Sequence, residues 1–227
     1  MTTYMDESTT CHICQISSYQ KILTSTIDLG SPDLDMRPPK LRRFTMIAWL
    51  QCCPHCGYVA SEIAEPPASL DIVKSVMAST GWVQPASIPT SGLALNFLRL
   101  ARLEFEFARP DAAAEAALSA AWVADDSRQT ALAIECRSIA ARHFTLTISQ
   151  MEQGEGRRET LEARLIDVLR RSRKWRDADA LCRHAQENEV DGIIATILRF
   201  QRALIKKRIV GPRSVDNAQR ADTSARM

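Results

Sequence analysis

The spacing of hydrophobic residues changes about a third of the way along the chain, at Pro66-Pro67. Before this point, short stretches rich in β-branched and aromatic residues favour β-strands, and residues 17–28 and 44–51 are the clearest of them. After it, apolar residues recur every three or four positions, as on one face of an amphipathic helix. The sequence therefore predicts a mainly α fold with a small β module at the N-terminus.

The helical pattern runs from residue 66 to residue 209. Proline, glycine and acidic residues interrupt it, as at Arg109-Pro110-Asp111, and Gly211-Pro212 ends it. Residues 81–89 read as a linker because they contain one glycine and two prolines. The expected helices cover residues 68–79, 91–108, 111–124, 127–153, 157–174, 178–188 and 191–208.

Two segments of this helical part share a common design. Around Asp111 and Asp177, which are 66 residues apart, an amphipathic helix is followed by a short polar turn and then by a helix rich in small residues. The separation is close to twice the roughly 34-residue tetratricopeptide period. Small side chains also let stacked helices approach closely. We therefore expect residues 66–209 to form a tetratricopeptide-like array of helical hairpins, with a generic helical bundle as the alternative.

Composition limits the class of protein. Hydrophobic residues make up 45% and charged residues 25% of the 227 residues, as in ordinary globular proteins. A net charge of +2 is too small to indicate nucleic acid by itself. No apolar run reaches the roughly 18 residues of a membrane span, and the N-terminus lacks the pattern of a secretory signal. We expect a cytoplasmic protein with no membrane partner, in which residues 1–10 and 210–227 are disordered.

Candidate chemistry is concentrated in two cysteine pairs. Cys11 and Cys14 form one C-x2-C pair, and Cys53 and Cys56 form the other. This spacing lets two thiolates grip one metal ion from a single tight turn, and four thiolates complete the tetrahedral shell of structural zinc. Because a closed shell has no open position, we expect Zn²⁺ to stabilise a zinc-ribbon-like module over residues 11–65 and not to catalyse a reaction. Iron remains an alternative, since it also accepts four thiolates.

The second pair has an ambiguous register. Cys52 and His55 share the same spacing, which leaves open a shell of three cysteines and one histidine. Pro54 presets the turn and Gly57 tolerates a positive φ, so these two residues favour the register that begins at Cys53.

The loop between the two pairs contains Asp33, Asp35 and Arg37. We interpret it as a turn locked by aspartate side chains and an Asp–Arg pair, with a ligand or partner patch as the alternative. Gln15 follows the first pair where a glycine would suit the turn better, so we expect that turn to be less ideal than the second.

Three segments carry a resemblance to a known family. They are the Cys11/Cys14 pair, the loop Ser31-Pro32-Asp33-Leu34-Asp35-Met36-Arg37-Pro38, and the turn Cys53-Pro54-His55-Cys56-Gly57-Tyr58. In these segments the chain resembles the bacterial proteins grouped as domain of unknown function 2225. The resemblance covers about the first third of the chain clearly and the helical part loosely. It implies a split zinc-ribbon-like head with tetratricopeptide-like helices behind it, and it implies no activity.

Catalytic motifs are absent from the sequence. His143 and His184 fall on expected helices without a convergent carboxylate or nucleophile, and no phosphate-binding glycine motif occurs. Basic residues between positions 157 and 208 alternate with acidic ones, as on a solvated helix surface. We therefore expect a non-enzymatic module that binds an unidentified protein partner. The alternatives are a nucleic-acid or ribosome-associated zinc-ribbon protein, and a redox sensor in which Cys52 is a resolving thiol.

Overall fold

The computed structural model describes residues 2–90, 92–152, 156–188 and 192–225. Within these ranges the chain is mainly α with a small β module, which confirms the predicted fold class. No helix in these ranges combines the length and the apolarity needed to cross a lipid bilayer. The elements are β1 (Thr3–Thr10), β2 (Ser17–Ser25), α1 (Lys40–Arg43), a 3-10 helix (Phe44–Ala48), β3 (Gln51–Cys52), β4 (Val59–Ala60), α2 (Leu70–Met77), α3 (Thr80–Val83), α4 (Gly92–Glu106), α5 (Pro110–Asp126), α6 (Thr130–Ser149), α7 (Gly156–Arg171), α8 (Trp175–Glu187), α9 (Gly192–Lys206) and α10 (Val215–Ala225).

The β module consists of two antiparallel ribbons. β1 pairs with β2 along its whole length, and β3 pairs with β4. Gln20 on β2 joins the ribbons, because its side-chain amide donates to the Cys52 carbonyl (3.2 Å) and accepts the Cys52 N–H (3.3 Å). The turn that closes each ribbon carries one of the two cysteine pairs, so the ribbons bring the pairs to one place.

Both ends of the chain differ from the sequence prediction. Residues 1–10, expected to be disordered, contain β1, and residues 210–227, also expected to be disordered, contain α10. Each segment is polar, but β2 supplies the backbone partners of β1, and α9 packs against α10 and buries Ala218. Local composition does not show these partners, which is why the expectation was wrong. Residues 1, 226 and 227 lie outside the described residues.

The prediction of a β-strand over residues 44–51 is also largely wrong. Most of it is the 3-10 helix, and only its end enters the short strand β3. The Trp49 indole N–H donates to the Thr45 hydroxyl (2.8 Å), which donates to the Arg42 carbonyl (2.7 Å), so side-chain bonds close these turns. A short apolar run does not distinguish helix from strand by its period alone.

Helices α4 to α9 pack in sequence, each against the next. Helix α5 lies between α4 and α6, and most of its buried residues are alanines, which let its neighbours approach closely. The expected helices correspond to α2 and α4–α9 with shifted ends, and α3 lies at the start of the expected linker. The expected helix ends at residues 91, 153 and 191 fall outside the described residues.

Three joints between these helices close in the same way. Ala108, Arg128 and Arg173 have φ values of 58°, 59° and 62°, in the left-handed region. At each joint the next residue donates its N–H to a carbonyl five positions earlier, which is the Schellman ending of a helix. These bonds run from Arg109 to Glu104 (2.9 Å), from Gln129 to Ala124 (2.8 Å) and from Lys174 to Leu169 (2.9 Å). Repetition of one joint makes the helices consecutive hairpins, and their assignment to the tetratricopeptide class stays a prediction.

Candidate metal centre

The first cysteine turn connects β1 to β2. The Cys11 carbonyl accepts the Gln15 N–H (2.8 Å), and the Cys11 N–H donates to the Ile16 carbonyl (3.1 Å). Gln15 has a φ of 59°, which glycine adopts most easily. Its side-chain amide donates to the His12 carbonyl (2.7 Å) and so fixes the turn from within. The turn is therefore closed although it lacks a glycine.

The second turn, between β3 and β4, repeats this geometry. The Cys53 carbonyl accepts the Gly57 N–H (2.9 Å), and the Cys53 N–H donates to the Tyr58 carbonyl (2.9 Å). Gly57 has a φ of 76° at the position equivalent to Gln15. A Cβ atom on Gly57 would meet its nearest neighbours at 3.8 Å or more, so the backbone conformation and not a lack of space favours glycine.

Backbone amides point at the first sulfur of each turn. The N–H groups two and three residues beyond Cys11 donate to its sulfur, and those two and three residues beyond Cys53 do the same. Burial alone would raise the pKa of the Cys53 thiol, but these donors lower that pKa to about 7. Burial raises the pKa of Cys11 and Cys56. A metal cation would reverse that penalty, since it binds thiolates and the amides then stabilise the negative sulfurs.

The two turns bring all four predicted ligands together. Cys11 Sγ lies 3.8 Å from Cys56 Sγ, and Cys14 Sγ lies 3.6 Å from Cys53 Sγ. All four sulfurs lie within 4.8 Å of one another. In a tetrahedral site with metal–sulfur bonds of about 2.3 Å, neighbouring sulfurs are about 3.8 Å apart, whereas disulfide sulfurs are about 2.05 Å apart. The spacing therefore fits four ligands around one metal ion.

The cluster lies at the base of the β module, where that module meets the helices. Cys11 and Cys53 are fully buried, and Cys14 and Cys56 are half-buried. Apolar side chains from β4, the segment after it, α3 and α4 pack around them, namely Val59, Ile63, Trp82 and Leu103. This cover keeps water from two of the four sulfurs, as is typical of a closed structural site.

The alternative ligands lie outside the cluster. Among the described residues, the four cysteines form the single group of three or more Cys, His, Asp or Glu side chains that could hold a metal ion. His12, His55 and Cys52 are not members of this group. Cys52 is half-buried on β3 with its sulfur 3.9 Å from the Cys53 carbonyl oxygen. The geometry thus favours the register that begins at Cys53.

Arg99 on α4 is a neighbour that the sequence did not reveal. Its Nε donates to the Trp82 carbonyl (3.0 Å), and its guanidinium lies over the Trp82 ring (5.1 Å). Gly57 is close enough that a Cβ there would lie 3.9 Å from Arg99 Nη1. Burial raises the pKa of the neighbouring Cys52 thiol, and the positive charge of Arg99 opposes that change. A lone arginine on a predicted helix gives no sequence pattern that could have identified it.

The loop between the cysteine pairs is anchored in the helical array. Asp35 is fully buried and accepts hydrogen bonds from Arg171 Nη1 (2.9 Å) and the Trp122 indole N–H (3.1 Å). Arg137 and Arg171 also share Asp125, at 2.6 Å each. Burial alone would raise the pKa of Asp35, but Arg171 and Arg137 lower that pKa to about 2. The buried carboxylate is therefore ionised and paired.

Arg37 and Asp33 complete the loop. The Arg37 N–H donates to Asp35 Oδ1 (3.2 Å), and the Arg37 guanidinium binds Asp126 and lies 3.9 Å from Asp33 Oδ2. Burial and the neighbouring Asp35 raise the pKa of Asp33 to about 6, although Arg171 and Arg37 oppose the change. These contacts confirm the interpretation of the loop as a turn locked by aspartates and an Asp–Arg pair.

The remaining candidate residues do not converge on the metal centre. The His143 ring packs against Phe105 with its centroid 4.8 Å away, and His184 is exposed on α8. Arg170 and Arg171, two of the basic residues between positions 157 and 208, are buried in ion pairs with Asp167 and Asp35. Their charge is therefore not available to phosphates.

Comparison of the chain with models of known families, with curated proteins and with solved structures gave no match in any of the three. The resemblance described above therefore rests on its motifs alone.

Proposed function

We propose that this chain is a non-enzymatic protein-interaction module whose head is stabilised by one structural Zn²⁺ ion. The observation that carries the proposal is the convergence of Cys11, Cys14, Cys53 and Cys56 to a spacing that suits one tetrahedral ion. Four thiolates leave no open coordination position, which distinguishes structural from catalytic zinc.

Each part of the head has a defined role in this proposal. The four sulfurs hold the ion, and the amides of both turns stabilise the thiolates. The ion ties the two ribbons together, and the Asp35 anchor ties the head to the helical array. Four thiolates bind either zinc or iron. We propose zinc because a purely structural role for the ion involves no redox chemistry.

The helical array supports the proposal of a protein partner. Consecutive helical hairpins present long surfaces that commonly bind other proteins.

Membership of the family grouped as domain of unknown function 2225 is also part of the proposal. So is a location in the reducing cytoplasm, where four free thiols persist for metal binding.

The proposal has two tests on the full chain. Elemental analysis of protein purified from cells should give one equivalent of zinc per chain. Crosslinking in cells, followed by purification of the tagged chain, should enrich the same protein repeatedly over an untagged control. Absence of metal from a well-folded preparation would refute the zinc site, and absence of any enriched protein from a zinc-loaded chain would refute the interaction role.

A further inference from the structure

A cleft of about 440 Å³ lies between α4 and α6. Its apolar wall includes Phe105 and Leu146, whose side chains are 37% and 40% exposed. Arg102 and Arg142 also line it, and the described residues of its lining include no carboxylate. The His143 ring packs against the Phe105 ring at an angle of 44° and also lines the cleft.

A second cleft, of about 690 Å³, lies on the other side of α6, against α7 and α8. Its lining is mainly aliphatic, with Ile148, Leu165 and Leu181 among the residues that face it. Lys174 also lines it, and Asp177 is the one carboxylate among the lining residues that the structure describes. Each cleft is in the range of about 300–1,000 Å³ that suits a group of buried side chains or a small molecule.

Arg142 on α6 lines both clefts, so we treat them as one surface, the α6 groove. Arg102 forms an ion pair with Glu106 (2.8 Å). Within the ranges that the structure describes, Arg142 and Lys174 have no carboxylate at ion-pair distance. The groove therefore combines apolar side chains with two arginines and a lysine, against one aspartate among the described residues of its lining.

We infer that the α6 groove binds an acidic, amphipathic segment of the protein partner, with apolar side chains in the two clefts and carboxylates at Arg142 and Lys174. This inference rests on the proposed interaction function and names its surface and the chemistry of its ligand. Two clefts on either side of one helix suit apolar anchors spaced along a helical or extended peptide. Unpaired cations beside the clefts favour acidic partners and repel basic ones.

The same surface is poorly suited to nucleic acid. Binding to a phosphate backbone relies on several cations arranged along it, and single strands add exposed aromatic rings on which bases stack. The α6 groove has few cations, and the ring of its phenylalanine, Phe105, already packs against the His143 ring. The aliphatic second cleft would remain empty under a polar backbone.

Selection from a display library of random 16-residue peptides on the full, zinc-loaded chain tests the inference. The enriched peptides should combine Asp or Glu with Leu, Ile or Phe, and fluorescence anisotropy should show that added salt weakens their binding. Arg142→Glu should weaken binding at least about tenfold, since it replaces an attraction with a repulsion. Arg220→Glu, which makes the same change at an exposed site on α10, should leave binding unchanged.

Leu146→Ser tests the apolar part of the surface in the same way that Arg142→Glu tests its charge. Circular dichroism checks that each variant folds. Binding should fall with this change as well, because Leu146 lines the first cleft. The inference is overturned if the enriched peptides show no excess of acidic residues, or if they bind Arg142→Glu as well as the unaltered chain. It is also overturned if no peptide is enriched while cellular crosslinking still identifies a partner, and in that case the proposed function stands. If neither experiment finds a ligand, both proposals fail.

Discussion

The head, residues 2–65, and the array, helices α4 to α9, differ in the kinds of side chain that they bury. The head places few large apolar residues inside, and two of its fully buried side chains are the metal-ligand candidates Cys11 and Cys53. The array has a continuous apolar core that runs through every helix from α4 to α9. A small module with little buried surface needs a crosslink or a metal, whereas an array with a continuous core does not. We therefore expect a bound metal ion to matter more for the head than for the array, although Leu34, Met46 and Leu50 of the head also join the core of the array.

The largest expected effect is a loss of structure in the head while the array stays folded. Cys53→Ser should abolish stoichiometric zinc and expose the backbone amides of β1 to β4, because the metal supplies folding free energy to the head. The amides of α5 and α6 should stay protected, since their core contains no ligand. Hydrogen exchange followed by mass spectrometry measures both regions in one sample.

Cys52→Ser is the matched control for this change, because Cys52 is the neighbouring residue and lies outside the four-sulfur cluster. It should retain zinc and the exchange pattern of the unaltered chain. Loss of zinc from Cys52→Ser, with zinc retained in Cys53→Ser, would contradict the assigned register.

The next effect concerns the anchor between the two parts. Asp35→Asn should lower the free energy of unfolding by about 3 kcal/mol or more, because it leaves Arg171 and Arg137 buried with one charge fewer to balance them. Urea denaturation measures this change. Asp6→Asn removes the exposed pair with Lys21 and should cost less than about 1 kcal/mol. Equal effects of the two substitutions would show that the anchor does not stabilise the fold.

The smallest expected effect is a gain in stability and not a loss. The pKa of Asp33 is raised from 3.8 to about 6, so the folded chain binds more protons than the unfolded chain between these pH values, and the contribution of Asp33 to stability falls as the pH rises through them. Asp33→Asn should therefore stabilise the chain at pH 7.5, by about 1–2 kcal/mol. Denaturation curves at pH 4.5 and 7.5 should show the gain at the higher pH only. A loss of stability at pH 7.5 would mean that the ion pair with Arg37 outweighs the burial of Asp33.

Asp35 provides the internal contrast, because its pKa is lowered from 3.8 to about 2. Its contribution to stability is present above pH 3.8 and is lost as the pH falls towards 2. Acid therefore changes the stability contributions of Asp33 and Asp35 in opposite directions. Arg171 and Arg137 outweigh the burial of Asp35, whereas Arg171 and Arg37 do not outweigh the burial of Asp33.

Local pattern predicted much of the array and the identity of the clustered cysteines. Helix positions follow from a repeated apolar period, and the C-x2-C spacing is a short-range geometric requirement that the turns satisfy. The joints at Ala108, Arg128 and Arg173 were less visible, because none of these residues is the glycine expected at a left-handed helix end. For the same reason the sequence did not show how well the first cysteine turn closes, because the residue with a positive φ there is Gln15 and not a glycine.

Long-range contacts account for what the sequence could not show. Asp35 and Arg171 are 136 positions apart, and no local pattern relates them. The α6 groove likewise arises from residues on separate helices that meet only in the folded array. The strand at the N-terminus and α10 near the C-terminus depend on partners in the same way.

The anchored loop also affects the order in which the chain can fold during synthesis. The Leu34 N–H donates to the Arg213 carbonyl (2.8 Å), and the adjacent Asp35 needs Arg171. Both partners leave the ribosome long after the cysteine pairs do. The four sulfurs can therefore meet and bind metal early, while the loop between them stays unlocked until almost the last helix has emerged. Nascent chains of this protein would pass through a stage with a closed metal site and an undocked loop.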